Sequence, residues 1–528
     1  MAIDPTVYAR RWKTLAVLAL ALLIIGLDNT ILNVALPSLQ EEFDASASTL
    51  QWMVDAYLLV FAGVLLTMGT LGDRFGRKLA LQTGLALFGG ASLAVLFVET
   101  STQLIIVRAV MGIGGAMIMP ATLSVISNVF PREERTKAIA IWSAMAAIGV
   151  GLGPLFGGLL LEYFDWTSVF LLNVPIAAIA LVLGFRLVPE SRDPKPGAFD
   201  FGGVVLSIAT LGFLVYGVIE APEAGWTSST ILGCFGAAAA FGAAFIAWEL
   251  RTKDPMLNLS FFRDPRFSVA SMGLGLASFA LFGAVFASTQ FLQDALGYSA
   301  LEAGAAMVPV AIGLVVGSGS SIKLVERFGI APVMIAGLIG LAGVLSSALL
   351  WSPEMAYLPL AFWFFGLSAS MGWIMGPATS SVMGSVPESK SGVASAMNDV
   401  TRQVGGALGT AVVGSLITSL YASQITDDTA ALPEAASTAA EDSIGQANAV
   451  AQSLPAADGA QLVDSASVAF TDAVGIGFGA AAVIALAGAV AVKRWLPNDR
   501  GRHVTEAESN EAVVLPSGTA VEGQAASA

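Results

Sequence analysis

The sequence predicts an all-α integral membrane protein with fourteen transmembrane helices, built as two six-helix bundles with two further helices inserted between them. Three observations lead there. The chain is too apolar for a soluble protein, its apolar runs have membrane-spanning length, and its second half repeats motifs of its first half in the same order.

Of 528 residues, 55% are hydrophobic and 12% are charged. An ordinary soluble domain carries about 25% charged residues. With a mean hydropathy of +0.76, the chain has too little polar surface to stay dissolved, and the lipid bilayer is its expected surroundings. The single cysteine, Cys234, lies in an apolar run, which excludes a disulfide framework or a cysteine metal site. The single histidine, His503, lies in a polar C-terminal stretch. Proton chemistry inside the membrane therefore falls to carboxylates, and neither a metal nor a cofactor is expected.

A spanning helix needs about 20 mostly apolar residues. Fourteen such runs centre near Ile25, Phe61, Phe88, Gly112, Ala147, Ala178, Ser207, Ala239, Ser278, Gly313, Gly340, Phe364, Ala407 and Ile484. The first, from Thr14 to about Leu36, is long and interrupted by Asp28, unlike the shorter uncharged core of a cleavable signal. The expected divisions are a cytoplasmic tail over 1–13 and a first bundle over 14–190. The inserted pair with its linkers takes 191–266, and the second bundle takes 267–492. A disordered tail over 493–528 completes the chain. The Ala/Ser/Asp-rich stretch 421–466 reads as a solvated, flexible exterior loop, with part of it open to being helical.

Basic residues fix the orientation. With the N-terminus in the cytoplasm, 23 of the 25 Lys and Arg fall in inner segments, including Arg74, Arg77 and Lys78, and Lys493 and Arg494. The other two, Arg108 and Arg402, lie inside spans. This is the positive-inside asymmetry, and a missed span would invert it downstream. Both termini are expected in the cytoplasm. Acidic residues sort outward, among them Glu41, Asp44, Glu220, Glu223 and Asp294. The net charge of −14 thus describes an acidic exterior, and no nucleic-acid partner is expected.

The repeat is read from three echoes. TLGDRFG (70–76) returns as KLVERFG (323–329), Pro120-Ala-Thr returns as Pro377-Ala-Thr, and Gly149 and Gly153 return as Gly405 and Gly409. The offsets run from 253 to 257 residues, always eight spans apart. Halves repeated about an axis along the membrane normal are a transporter architecture, with the substrate site between them.

Several motifs strengthen this reading: LDNTILNVALP (27–37), GTLGDRFGRK (69–78), RAVMGIGGA (108–116), GVGLGPLFGG (149–158), FLQDALGYSALEAGAAMVP in the second half and GVASAMNDVTRQVGGALG in span 13. Together they resemble the major facilitator superfamily, and within it the fourteen-helix drug:proton antiporters of multidrug and antiseptic resistance. The resemblance implies that Gly69, Asp73, Arg74, Gly76 and Arg77 form a charge latch on the inner gate. Glu326 and Arg327 would be its counterpart in the second half, where GRK is missing after RFG. It also implies that the glycine-rich fifth span, with Gly149, Gly153, Pro154 and Gly157, seals the halves against leak. Met111 stands where the superfamily often has Gln.

Ionisable residues inside spans are costly and point to function. Five stand out: Asp28, Asp55, Arg108, Asp399 and Arg402. Asp28 lies about 21 Å into span 1 at 1.5 Å per residue, so Asp28, Asp55 and Arg108 are expected in one outer-half layer. A carboxylate beside arginine stays ionised, whereas a desolvated one takes up a proton. Alternation between those environments would couple proton entry to export; the alternative is a static ion pair that helps the bundle assemble. Asp399 and Arg402, three residues apart, share a face. They form either a self-neutralising pair or a second proton and cation site. Trp52, Tyr57, Trp142, Phe279, Phe282 and Phe286 are open to lining an apolar pocket; the helical spacing of Phe279, Phe282 and Phe286 also fits a lipid-facing or packing stripe, which is the favoured reading.

The expected function is proton-coupled export of lipophilic, often cationic compounds by a secondary transporter rather than an enzyme, with the monomer sufficient. The alternative is an exporter of the same fold dedicated to one metabolite, antibiotic or lipid. No G-x-x-x-x-G-K-[ST] stretch occurs, so an ion gradient rather than ATP is the expected driving force.

Overall fold

The computed structural model describes residues 5–192, 200–253, 255, 257, 259–386 and 391–497. Lys195, Lys390, Arg500, Arg502 and His503 lie outside them. The first bundle comprises α1 (Pro5–Phe43), α2 (Ala47–Phe75), α3 (Arg77–Ala94), α4 (Ser101–Val129), α5 (Arg132–Tyr163) and α6 (Asn173–Leu187). The inserted pair is α7 (Phe201–Ile219) and α8 (Ser229–Glu249). The second bundle begins with α9 (Pro265–Gln290), α10 (Val308–Phe328), α11 (Ile330–Ser347), α12 (Tyr357–Gly384) and α13 (Ser391–Thr429). Two short helices follow, α14 (Glu434–Asp442) and α15 (Ile444–Ser453), before the last long helix, α16 (Ala456–Trp495).

Among the described residues, 13 helices are long and apolar enough to cross a membrane. The remaining expected span is α5, whose described apolar part, Ile148–Tyr163, is shorter. The architecture is compatible with fourteen spans.

The two bundles repeat one packing scheme. In the first, α1 packs along α5, α2 along α4, and α3 against α4 and α6. In the second, α9 packs along α13, α10 along α12, and α11 against α12 and α16. The sequence echoes coincide with this scheme. Gly76 (φ 126°) and Gly329 (φ 91°) each end one helix and start the next with left-handed backbone that a side chain would strain. Pro120 and Pro377 each sit inside a helix, α4 and α12. Gly153 and Gly409 each press on a backbone carbonyl, of Leu27 in α1 and of Phe279 in α9. Small residues permit such close approach, and without a hydrophobic drive in lipid, packing is what holds the helices together.

The inserted pair packs on itself, with Phe213 and Phe241 stacked at 5.6 Å between ring centroids. It lies against the seam where α2 of one bundle meets α13 of the other. Trp52 Nε1 donates to Glu220 Oε1 at 2.8 Å, and Ser415 Oγ lies 2.8 Å from the Val218 carbonyl.

Three expected divisions differ from the structure. The last helix, α16, runs on to Trp495, past the expected start of the tail at 493, whose residues 498–528 lie outside the described ones. Residues 5–13 are the first turns of α1 rather than a separate tail, and Arg11 Nε meets Glu134 Oε2 at 2.6 Å. The stretch 421–466 is not a flexible loop: α13 and α16 extend into it, and α14 and α15 fold over the ends of both bundles. The reason is apolar content at helical spacing. Ala440, Ile444 and Ala447 are fully buried, and the Tyr421 hydroxyl donates to the Ala440 carbonyl at 2.9 Å. This end of the molecule also holds Asp44, Glu220 and Glu223 and is called the acidic end below; the basic end holds Arg11, Arg74, Arg77 and Arg192.

Candidate functional site: a buried ion pair and the seam between the halves

Asp28 of α1 and Arg108 of α4 are each only 1% exposed. Asp28 Oδ2 accepts from Arg108 Nη1 at 2.6 Å, and Asp28 Oδ1 accepts from Asn173 Nδ2 at 3.2 Å. Arg108 Nε donates to the Met53 carbonyl at 3.0 Å, and its guanidinium lies 4.5 Å from the Tyr57 ring centroid. Burying two charges costs several kcal/mol each, about, unless they are paired and hydrogen-bonded; here both carboxylate oxygens and two guanidinium nitrogens have partners. Gly112, one turn from Arg108, brings α4 onto α2, since a methyl there would lie 2.7 Å from the Tyr57 carbonyl.

Asp55 does not join this group. Its side chain is fully buried, and neither carboxylate oxygen has a hydrogen-bond partner among the described residues. The geometry of α2 explains the separation. Met53 and Tyr57 are one turn apart and face α4, whereas Asp55 points to the other side at about 100° per residue. One turn to either side of Asp55 lie Gln51 and Leu59. Gln51 Oε1 lies 3.2 Å from Ser415 Oγ of α13, and Leu59 clusters with Ala411 of α13 and with Val215 and Ile219 of α7. Asp55 thus occupies the stripe of α2 that meets the other half.

Asp399 and Arg402 form an intrahelical contact of 3.8 Å on α13, with side chains 12% and 27% exposed. Arg402 Nε has no partner among the described residues. No hydrogen bond or ion pair among those residues links this pair to Asp28 and Arg108.

The charged loop after α2 is bound to its own half. Arg77 Nε meets Asp73 Oδ1 at 2.7 Å, and the Arg74 guanidinium lies 5.7 Å from the Phe75 ring. Lys78 Nζ donates to the Phe185 carbonyl at 2.7 Å, and the Arg77 amide donates to the Ser191 carbonyl at 3.0 Å. Gly69 faces Pro120 of α4. The counterpart residues Glu326 and Arg327 are exposed, with Arg327 over the Phe328 ring at 5.2 Å.

The glycines of α5 divide between two faces. Gly149, Gly153 and Gly157 face α1 within their own bundle, where a methyl at Gly157 would lie 3.0 Å from Ile31. The contacts across the halves come from Gly151 against Ala311, Gly158 against the Ala300 carbonyl, and the Pro154 carbonyl against Gly304. Of the expected seal residues, only Pro154 touches the other half in this way. The four-residue spacing marks the α1 face, whereas Gly151 and Gly158 of the same GVGLGPLFGG stretch, seven residues apart, lie on the face turned to the other half.

Sequence reasoning also missed Asn173 and the role of Tyr57. Asn173 stands as a lone amide opening an apolar run, which was its available signal. Phe282 and Phe286 lie in the core rather than along lipid.

At the acidic end, α14 and α15 bridge the halves. Gln40 Nε2 donates to Ser443 Oγ, and Gln446 Nε2 donates to Asp44 Oδ1 at 2.9 Å. The Ala47 amide at the start of α2 donates to Asp442 Oδ2 at 3.1 Å. Burial, with smaller contributions from Glu223 and Asp44, raises the Asp442 carboxyl to about 6, against the opposing pull of the Ala47 amide.

Residues 18–410 match the model of the Major Facilitator Superfamily. The chain is 40% identical over 484 residues to the multidrug efflux pump LfrA of Mycolicibacterium smegmatis, covering 92% of this chain and 96% of that one. It is 31% identical over 506 residues to the tetracenomycin C resistance and export protein of Streptomyces glaucescens, covering 93% of each. Among solved structures, it resembles a bacterial homologue of the human lysosomal transporter Spinster in an inward-facing, unoccupied conformation. That match has a TM-score of 0.64 at 19% identity and covers 94% of this chain and 98% of the other. With the repeated six-helix halves, the buried charges and this match in hand, the chain belongs to the major facilitator superfamily.

Proposed function

We propose that the chain is a drug:proton antiporter of the cell membrane, exporting lipophilic and often cationic compounds in exchange for protons. The observation that carries this is the contrast between two buried carboxylates. Asp28 is held by Arg108 and Asn173, whereas Asp55 lies unpartnered where the halves meet. A carboxylate with a guanidinium partner favours its charged form, and one buried without a partner favours its neutral form. If alternation of the halves breaks the Asp28–Arg108 pair, or exposes Asp55, proton affinity changes with the state. That change ties proton entry to substrate exit.

The basic end faces the cytoplasm in this reading, together with both termini, and the acidic end faces outward. The contacts of α5 with 300–311, of α2 with α13 and of α14–α15 with both halves then close the outer side. The loop after α2, with Asp73, Arg74 and Arg77, sits at the inner gate, and Glu326 and Arg327 at its counterpart. Asp399 and Arg402 stand on the pathway in the second half. One chain suffices for transport, and neither ATP nor nucleic acid takes part. Similarity to a multidrug efflux pump supports broad specificity, whereas similarity to a tetracenomycin C exporter favours the second reading, export of one dedicated antibiotic.

The test is drug-susceptibility profiling of a sensitive host that expresses the chain, with a protonophore arm and an Asp28→Asn control. Resistance to several unrelated cations that the protonophore and the variant both abolish is expected. Resistance to a single compound would select the dedicated exporter, and full resistance in Asp28→Asn would remove Asp28 from coupling.

A further inference from the structure

At the acidic end, a cavity of about 480 Å³ opens beside the seam, apart from the buried ion pair. Its walls are the π-helical turn Phe291–Ala295 that ends α9, the inner face of α15 and the first turns of α16. Most of the lining is apolar, including Leu296, Ala451 and Val463. Two polar residues in it are incompletely satisfied. Asp294 Oδ2 is buried with no hydrogen-bond partner, and Asn448 Oδ1 is likewise buried and unpartnered. The Asn448 amide is oriented by its own bond: Nδ2 donates to the Asp294 carbonyl at 3.0 Å, which leaves Oδ1 as the free acceptor. Gln293 is committed elsewhere, donating to the Val34 carbonyl of α1 at 3.0 Å.

A buried acceptor without a donor costs about 1–3 kcal/mol, more when charged. Both acceptors lie in the wall of one cavity, closed to water in this state, so a ligand that brings donors and displaces the wall slightly would satisfy them. A carboxylate adds the demand for positive charge, and Glu41 of α1 lies close enough to act on Asp294 electrostatically. A volume of this size falls in the range of small-molecule sites, about 300–1,000 Å³. A bare divalent ion fits poorly, because no group of three or more His, Cys, Asp or Glu side chains suited to a metal occurs among the described residues.

We infer that this cavity is a peripheral binding site for an organic cation bearing N–H donors, such as an aryl or alkyl amine, held by Asp294 and Asn448. It deepens the proposed export of cations by giving them a station outside the central pathway. The lining comes from the second half alone, but Gln293 ties one wall to α1, so that wall shifts when the halves separate.

The test uses the full chain in lipid nanodiscs and titrates ethidium, a cation with amino donors, by fluorescence anisotropy, with tetraphenylphosphonium as a competitor that lacks donors. A binding component that survives in Asp28→Asn, but weakens about tenfold in Asp294→Asn, is expected for a lost charge-assisted hydrogen bond. Tetraphenylphosphonium should displace that component poorly. Ala460→Phe, which fills the cavity without touching the acceptors, should have the same effect and decides the matter if Asp294→Asn does not fold. Isotherms within about twofold of wild type in both variants would overturn the site. Loss of proton-driven efflux with this component intact would instead count against the antiporter reading alone.

Discussion

Asp28 Oδ2 and Arg108 Nη1 lie 2.6 Å apart, each side chain almost fully buried, across two helices separated by 80 positions in sequence. The pair joins α1 to α4, and Asn173 extends it to α6. Replacing Asp28 with Asn removes the charge and keeps an acceptor. Proton-driven efflux in everted vesicles is expected to fall to background, with a stability loss of about 1–3 kcal/mol. Both variants leave the guanidinium without a counter-charge, but Asp28→Ala also removes the acceptors and is expected to cost more, about 3–5 kcal/mol. Thermal unfolding in detergent ranks the two variants.

Asp55→Asn should behave differently. The buried carboxylate has no partner to lose, so stability is expected to hold or rise. Transport under an imposed pH gradient is expected to drop. A variant that is both less stable and fully active would contradict this placement.

The glycine contacts predict a graded series. In Gly153→Ala the new methyl meets Thr30 Oγ1 and lies 2.9 Å from the Leu27 carbonyl. A loss of about 1–3 kcal/mol is expected from overpacking. Gly409→Ala, its counterpart against the Phe279 carbonyl, should lose a similar amount. Gly90→Ala meets nothing within 4 Å and is expected to be neutral or stabilising. Melting temperatures of the three variants check the order.

Asp442 predicts a pH dependence at the acidic end. Its carboxyl is raised from 3.8 to about 6 when α14 is docked, in the company of Glu223, Asp44 and the Ala47 amide. The docked state therefore binds a proton that the undocked state releases. Docking strengthens as pH falls from about 6 towards 3.8, and that gain is lost as pH rises through about 6. The change is at most about 2–3 kcal/mol, from 1.36 kcal/mol per unit, and is reduced by solvent screening. Hydrogen exchange across 434–453, corrected for its intrinsic pH dependence, should show it. Asp442→Asn should remove it.

Asp73 pairs with Arg77 at 2.7 Å, with side chains 35% and 15% exposed. Such a pair contributes about 0.2–1 kcal/mol, so Asp73→Asn should fold normally. Transport is expected to slow while substrate affinity is kept. Weakened binding at an unchanged rate would remove the gating role.

Much of this protein was legible in one dimension. In a bilayer each ionisable residue is conspicuous, because its burial is costly; that is why Asp28, Asp55, Arg108, Asp399 and Arg402 stood out. Lengths of apolar runs determined the helices, and the repeated RFG, Pro-Ala-Thr and paired glycines determined that two halves share one packing scheme. Only the tertiary structure decided which residues meet. The direction in which a side chain points around a helix is set by the neighbours it packs against, so Asp28 found Arg108 and Asn173 while Asp55 turned to the seam. The same rotation sent Gly149 and Gly153 to α1, and Gly151 and Gly158 to the opposite half. Hydropathy likewise read 421–466 as loop, because Ala, Ser and Asp carry little apolar signal; burial of Ala440, Ile444 and Ala447 against both bundles made it helix.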